Sequence, residues 1–198
     1  MTQASTSDNS LTGGRLRLRA GQVYRRKDLA NQSTAIDRDL QLALSAGHLY
    51  RAAQGLYYAP IKTPFGDAPP SDQAMVEKFL GDKDFLLFSP NDYNSLRLGT
   101  TQLYNLSVVY NHKRHGRFAL GNRVFDFRVK PAYPRQLNEE FLWVDMLNNL
   151  DELAEDTDML LVNARASVAR FGKTRLKRAV TKYGSEKTKR LTRDWFDV

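Results

Sequence analysis

The segment Leu40–Pro60, LQLALSAGHLYRAAQGLYYAP, decides the fold of the N-terminal part of this chain. It begins with apolar residues at helical spacing, reaches Gly47, and then changes to short aromatic-rich runs on either side of Gly55. This pattern predicts a helix that ends at Gly47 in a left-handed conformation. A two-stranded hairpin with its turn at Gln54-Gly55 is predicted to follow.

The predicted helix begins upstream of this segment, where Thr34 can serve as the N-cap and Asp37 occupies the third helical position. One apolar stripe runs along the helix and consists of Ile36, Leu40, Ala43 and Leu44. The side chains opposite the stripe are of the types that read base edges, and they are Thr34, Arg38, Gln41 and Ser45. Such a face is also an ordinary solvent surface, so its interpretation depends on the neighbouring elements.

Those neighbours give the order of a winged helix-turn-helix. A short helical segment at Lys27–Asn31 and a turn precede the capped helix, and the hairpin follows it. In such a module the second helix enters the major groove and the hairpin wing lies against the phosphate backbone. Tyr57 and Tyr58 point to opposite faces of their strand, so one packs and one points outward. The residues predicted to contact phosphate here are Arg25, Arg26, Lys27, Arg51, Gln54 and Tyr58.

The whole chain is predicted to be an α+β protein with two domains. Residues 1–10 are predicted to be a disordered leader, and residues 11–62 the winged helix-turn-helix, in which Arg15, Arg17 and Arg19 alternate with leucines as in a strand or a short helix. The Pro-, Gly- and Asp-rich residues 63–70 read as a linker. Residues 71–198 are predicted to form a mixed domain with a small antiparallel sheet and C-terminal helices, broken at Gly172 and Gly184.

In the second domain, Ser71 is predicted to cap a helix that runs to about Leu80. An amphipathic helix is predicted over Asn138–Glu155, with apolar residues inward and an acidic outer side. Its acids include Glu139, Glu140, Asp145, Asp151, Glu152 and Glu155. We interpret most of them as a solvated face.

Charge is distributed unevenly along the 198 residues. Residues 1–62 carry a net charge of +5, residues 63–162 a net −5, and residues 163–198 a net +8. Two basic ends around an acidic middle indicate a surface that binds a polyanion. The C-terminal side chains predicted to contact DNA phosphate are Arg170, Lys173, Arg175, Lys177, Arg178 and Lys182.

Several function classes find no support in the sequence. The chain has no cysteine, which excludes disulfide scaffolds, Cys-ligated zinc and thiol nucleophiles. His112 and His115 lie three residues apart in a basic turn without an adjacent carboxylate, so we expect no metal there. No phosphate-binding glycine loop is present, and no catalytic residues or cofactor are predicted. Without an apolar leader or spanning segment, the chain is expected to be cytoplasmic and free of membrane contact.

Two segments together resemble one known family. LQLALSAGHLYRAAQGLYYAP and NSLRLGTTQLYNLSVVYNHKRHGRFALGNRVFDFR (residues 94–128) are similar in order and spacing to the AbiEi family, the antitoxins of type IV toxin–antitoxin systems. The resemblance covers roughly residues 20–155. The chain departs from the family pattern in two places. Gly13-Gly14 and the Arg/Leu alternation replace the regular pattern of the first helix, and residues 156–198 do not match the family.

The resemblance implies a DNA-binding transcriptional repressor of a phage-defence operon. Such a protein binds inverted repeats in its own promoter and counteracts a nucleotidyltransferase toxin encoded beside it, with or without direct contact. The main alternative from the residues alone is a structured-RNA or ribonucleoprotein binder that uses the same basic ends. A nucleic-acid-processing enzyme comes third.

Overall fold

The computed structural model describes residues 10–13 and 16–196, and it has mixed α and β content with small sheets, which confirms the α+β class. The chain divides into two compact units. The first contains the described residues up to Lys83 together with Phe118–Val124, and the second contains Asp84–Arg117 and the residues from Phe125 onward. The predicted disordered leader lies outside the described residues except for Ser10, which begins the first strand.

A short hairpin opens the first unit. Strand β1 (Ser10–Gly13) pairs antiparallel with β2 (Leu16–Arg19). In β2 the leucines Leu16 and Leu18 are buried, whereas Arg17 and Arg19 are exposed. Alternate burial has the period of a strand, so of the two conformations that the sequence allowed, the strand forms.

The next elements are strand β3 (Val23–Arg25), helix α1 (Arg26–Ala30) and helix α2 (Ile36–Ser45). The predicted apolar stripe of α2 is largely confirmed, since Ile36, Leu40 and Ala43 are buried and Leu44 packs at the edge. The stripe joins one core with the leucines of β2 and the side chains of Leu29, Leu49 and Tyr57. Burial of this stripe fixes which face of α2 meets solvent.

The start of α2 differs from the prediction that Thr34 is its N-cap. The capping position is Ala35, and Thr34 lies in the turn before it. The Ser33 hydroxyl accepts a hydrogen bond from the backbone N–H of Ala35 at 3.0 Å and donates one to the carboxylate of Asp39 at 2.6 Å. This bridge organises the turn, which leaves Thr34 exposed and without a capping role.

The end of α2 and the hairpin match the prediction. Gly47 follows the helix with a φ of 68°, a conformation that favours glycine. Strands β4 (Tyr50–Ala53) and β5 (Leu56–Tyr58) are joined through Gln54-Gly55, and β5 lies between β3 and β4 in an antiparallel sheet.

The predicted linker contains regular structure. Strands β6 (Ile61–Thr63) and β7 (Gly66–Ala68) form an antiparallel hairpin, in which the Thr63 hydroxyl donates to the carbonyl of Gly66 at 2.7 Å. Helix α3 (Asp72–Leu80) follows, with Ser71 as its N-cap as predicted. Because this helix is grouped with the first unit, the division after Lys83 differs from the predicted boundary at residues 63–70.

The second unit begins with strand β8 (Phe85–Phe88) and a 3₁₀ segment (Pro90–Leu96), followed by β9 (Ser107–Asn111). Strands β10 (Gly116–Leu120) and β11 (Arg123–Val129) come next, and their residues from Phe118 to Val124 are grouped with the first unit. The strand order is β10-β11-β9-β8, and β11 runs parallel to β9. The predicted antiparallel arrangement is therefore wrong for this pair. Phe125 and Phe127 are fully buried, and an inner position in the sheet accommodates such a strand better than an edge does.

Five helices complete this unit: α4 (Glu139–Asn148), α5 (Thr157–Ala166), α6 (Val168–Phe171), α7 (Lys173–Tyr183) and α8 (Glu186–Leu191). Short 3₁₀ segments lie at Leu150–Glu152 and Arg193–Trp195. The helix breaks predicted at Gly172 and Gly184 are confirmed. No helix in the described ranges is long and apolar enough to cross a membrane.

Helix α4 is shorter and more buried than predicted. Every residue from Phe141 to Leu147 is buried, and this run includes Asp145. A helix that is apolar on all sides forms the centre of a core, and the indole N–H of Trp143 finds its partner there in the Ser167 hydroxyl at 3.1 Å. The predicted acidic outer side is therefore wrong for Asp145.

We predict that Arg25→Met lowers the free energy of unfolding by about 1–3 kcal/mol. The Arg25 guanidinium donates to the carbonyls of Lys78 and Phe79 at 2.8 and 3.0 Å, near the end of α3, and methionine would leave those carbonyls without donors. Urea denaturation measures the change. Lys27→Met, at an exposed position, is the matched control and should shift stability by less than about 0.5 kcal/mol. Equal effects of both substitutions would contradict this role.

Candidate nucleic-acid interface

Helix α2 presents the predicted reading residues to solvent. Arg38, Gln41 and Ser45 are exposed and lie within about 60° of one another around the helix axis, opposite the buried stripe. Thr34 is exposed in the preceding turn, and Leu42, with 59% of its surface exposed, adds an apolar contact beside Gln41. The exposed face of α2 and the turn before it therefore carry a guanidinium, a side-chain amide, two hydroxyls and an aliphatic side chain.

Two acids near the start of α2 are neutralised locally. Asp37 accepts two hydrogen bonds from the guanidinium of Arg26, at 2.9 and 2.8 Å, and this partner lowers the pKa of the Asp37 carboxyl. Asp39 is buried beneath Ser33, and the Nε of Arg38 lies 3.6 Å from its carboxylate. The Arg38 side chain is nevertheless 66% exposed, so most of it remains accessible to a ligand.

The predicted phosphate contacts in this unit fall into two groups. Arg51 and Gln54 are exposed on β4 and at its turn, and Lys27 is exposed on α1. Arg25 is turned inward to the carbonyls at the end of α3, and Arg26 is held by Asp37. The side chain of Arg25 is therefore engaged within the first unit, whereas Arg26 is exposed and its phosphate contact stays a prediction.

The two tyrosines of β5 separate as predicted. Tyr57 is buried in the core of the first unit, whereas Tyr58 is half-buried. The ring of Tyr58 stacks on Tyr50, with centroids 5.5 Å apart, and burial raises the pKa of the Tyr58 hydroxyl. Tyr58 thus carries a protonated hydroxyl on a ring that is stacked with Tyr50.

The basic C-terminal residues are also divided. Arg170 donates to the carbonyl of Leu96 and lies over the ring of Phe171, and Arg175 forms an ion pair with Glu140 at 3.1 Å. The remaining predicted contacts are exposed on α7 without an ion-pair partner among the described residues, and they are Lys173, Lys177, Arg178 and Lys182.

Sequence reasoning missed a polar cleft of about 890 Å³ in the second unit. Tyr93 and Tyr110 line the cleft, and their hydroxyls donate hydrogen bonds, at 2.7 and 2.8 Å, to the carboxylate of Asp145, which is buried behind them. Burial raises the pKa of both tyrosines, so they stay protonated and donate. The signal in the sequence is an acid inside an otherwise apolar helical run, FLWVDML, although the sequence prediction places most acids of this helix on a solvated face.

One wall of this cleft is an arginine between two acids. Arg128 lies 2.8 Å from the carboxylate of Asp126 and 2.6 Å from that of Glu152, and it also donates to the amide oxygen of Asn149 at 2.9 Å. The acids raise the pKa of Arg128 despite its partial burial. Because both carboxylates pair with this cation, the wall is a fixed polar surface.

The two histidines of the basic turn, His112 and His115, lie in different surroundings. His112 stacks on Tyr133, with centroids 4.8 Å apart, and lies 3.6 Å from Asp84, whereas His115 lines the edge of the cleft. Within residues 10–13 and 16–196, no group of three or more His, Asp or Glu side chains could hold a metal ion.

No protein-family model matches the chain, and no curated protein matches it.

We predict that the stability difference between the wild-type protein and Asp145→Asn depends on pH. Burial raises the pKa of Asp145 even though both tyrosine hydroxyls act to lower it. The folded state therefore keeps the proton at pH values where the unfolded chain has lost it. The stability of the wild type relative to Asp145→Asn should thus fall as pH rises above about 4, the ordinary range of Asp.

Urea denaturation across a pH series tests this prediction. Met146→Leu, on the same helix and without an ionisable group, is the control, and its difference from the wild type should stay constant. A difference for Asp145→Asn that does not change with pH would contradict a raised pKa.

Proposed function

We propose that the first unit binds duplex DNA in a sequence-specific manner, with α2 in the major groove and the β4–β5 hairpin as a wing on the backbone. The single observation that carries this proposal is the exposed face of α2, where Arg38, Gln41 and Ser45 lie opposite a stripe buried in the core. Arginine and glutamine are the side chains that recognise guanine and adenine edges in bidentate fashion.

The order of elements supports the assignment as a winged helix-turn-helix. Helices α1 and α2 are followed directly by β4 and β5, and β3 completes a three-stranded sheet with them. The β1–β2 hairpin stands before this module where a first helix is expected, and Leu16 and Leu18 contribute the apolar side chains that such a helix would bring to the core. Exposed Arg51 and Gln54 give the wing suitable donors for phosphate.

The biological role that we propose follows from the resemblance to AbiEi antitoxins. The protein would be a cytoplasmic, non-enzymatic repressor that binds inverted repeats in its own promoter. It would counteract a nucleotidyltransferase toxin encoded in the same operon. A nucleotidyltransferase-like reading frame beside the gene would support this role, and its absence would contradict it.

We predict that Arg38→Ala weakens binding to the specific duplex by about 1–3 kcal/mol and leaves binding to random duplex nearly unchanged. Fluorescence anisotropy would compare a duplex with the native upstream sequence, a random duplex and an RNA duplex, all of the same length. The RNA duplex should bind no better than random DNA, since the A-form major groove is too narrow for a helix.

Arg51→Ala serves as the matched control because it removes the same charge from the wing. It should weaken all DNA duplexes alike and lower the slope of log K against log salt by about one unit. If Arg38→Ala also lowers affinity equally for specific and random duplexes, helix α2 does not read sequence and the proposal fails.

A further inference from the structure

A basic groove runs along α7 in the second unit. Two adjoining hollows of about 520 and 420 Å³ share Lys177, Thr181 and Phe196 in their lining. We call them together the α7 groove. The cations that line it are Lys173, Lys177, Arg178, Lys189 and Arg193. In the described part of the chain no carboxylate lines either hollow.

Most of these cations are uncompensated. Lys189 lies 3.0 Å from Glu186 and is balanced by it, whereas the other four form no ion pair with any described residue. Lys173 and Lys177 are four residues apart on α7, so they repeat along the groove at about 6 Å. A concave surface with several positive charges and no acid concentrates anions, and this spacing suits successive phosphates of a nucleic-acid strand.

An aromatic ring accompanies the charges. Phe196 is half-buried and lines both hollows. It packs in part against the core of this unit, and the ring of the preceding Trp195 packs edge-on against Trp143 with centroids 5.9 Å apart. A ring among cations is the combination on which proteins stack the bases of single strands.

The turn between α7 and α8 beside the groove is held by one half-buried side chain. The side-chain amide of Asn148 on α4 donates to the carbonyl of Tyr183 at 3.0 Å. Its oxygen accepts from the backbone N–H of Ser185 at 2.7 Å and from the hydroxyl of Thr188 at 2.8 Å. These bonds fix the turn between α7 and α8, so the groove is formed before any ligand arrives and binding costs less ordering.

We propose that the α7 groove binds single-stranded nucleic acid, with phosphates on the lysines of α7 and on Arg193 and with one base stacked on Phe196. Duplex fits this surface less well, because its bases are stacked inside the helix and its backbone is convex. The site is additional to the reading of duplex DNA by α2 and uses none of the same residues.

The test measures binding of the full chain to labelled oligouridylate and oligothymidylate of about twelve nucleotides, a length within the usual site size, and to a duplex of the same length. Lys177→Gln should weaken single-strand binding several-fold and lower the slope of log K against log salt by about 0.7. Lys182→Gln is the matched control, since Lys182 is an exposed cation of the same helix that does not line the groove. It should change neither value.

Phe196→Leu keeps apolar packing but removes the ring, and it should weaken single-strand binding about tenfold. Arg38→Ala should leave single-strand binding unchanged, which separates this site from the duplex reader. Binding of one single strand, oligouridylate or oligothymidylate, more tightly than the other supports the proposed site and identifies whether its ligand is RNA or DNA. Equal effects of the two lysine substitutions on single-strand binding, or no single-strand binding, would each overturn the proposal.

Discussion

Burial of one apolar stripe on α2 controls how the first unit meets its surroundings. Ile36, Leu40 and Ala43 pack into the same core as Leu16 and Leu18, and this core leaves the helix a single orientation. The burial of such side chains stabilises a small domain more than any surface contact does. The polar face of α2 is therefore exposed as a direct consequence of the hydrophobic core, and its residues are free to contact a ligand.

Periodicity and glycine placement predicted much of this unit from the sequence. The stripe of α2, the left-handed Gly47 and the turn at Gln54-Gly55 depend on neighbouring residues, and local rules describe them well. The capping of α2 could not be predicted in the same way. Thr34 is a suitable cap by residue type, but Ala35 holds the capping position, and the bridge from Ser33 to Asp39 that organises this turn forms only in the folded chain.

Long-range contacts decided the features that the sequence did not reveal. Arg25 looked like a phosphate contact until the carbonyls of Lys78 and Phe79, more than fifty residues away, became its partners. The sequence around Asp145 shows no partner for a buried acid, so a solvated position is the natural prediction. Its partners, Tyr93 and Tyr110, come from distant parts of the chain. The distribution of charge along the sequence likewise overestimates how many cations are available to a ligand. Several arginines form hydrogen bonds or ion pairs within the protein instead.

The central claim is that α2 occupies the major groove, and methylation interference tests it most directly. The DNA site would be selected from a random-sequence duplex pool and then methylated sparsely at guanine N7, which faces the major groove, and at adenine N3, which faces the minor groove. The account predicts that N7 methylation at particular guanines blocks binding, and that Arg38→Ala abolishes this sensitivity at one of them. Interference confined to adenine N3, or an unchanged N7 pattern with Arg38→Ala, would contradict it.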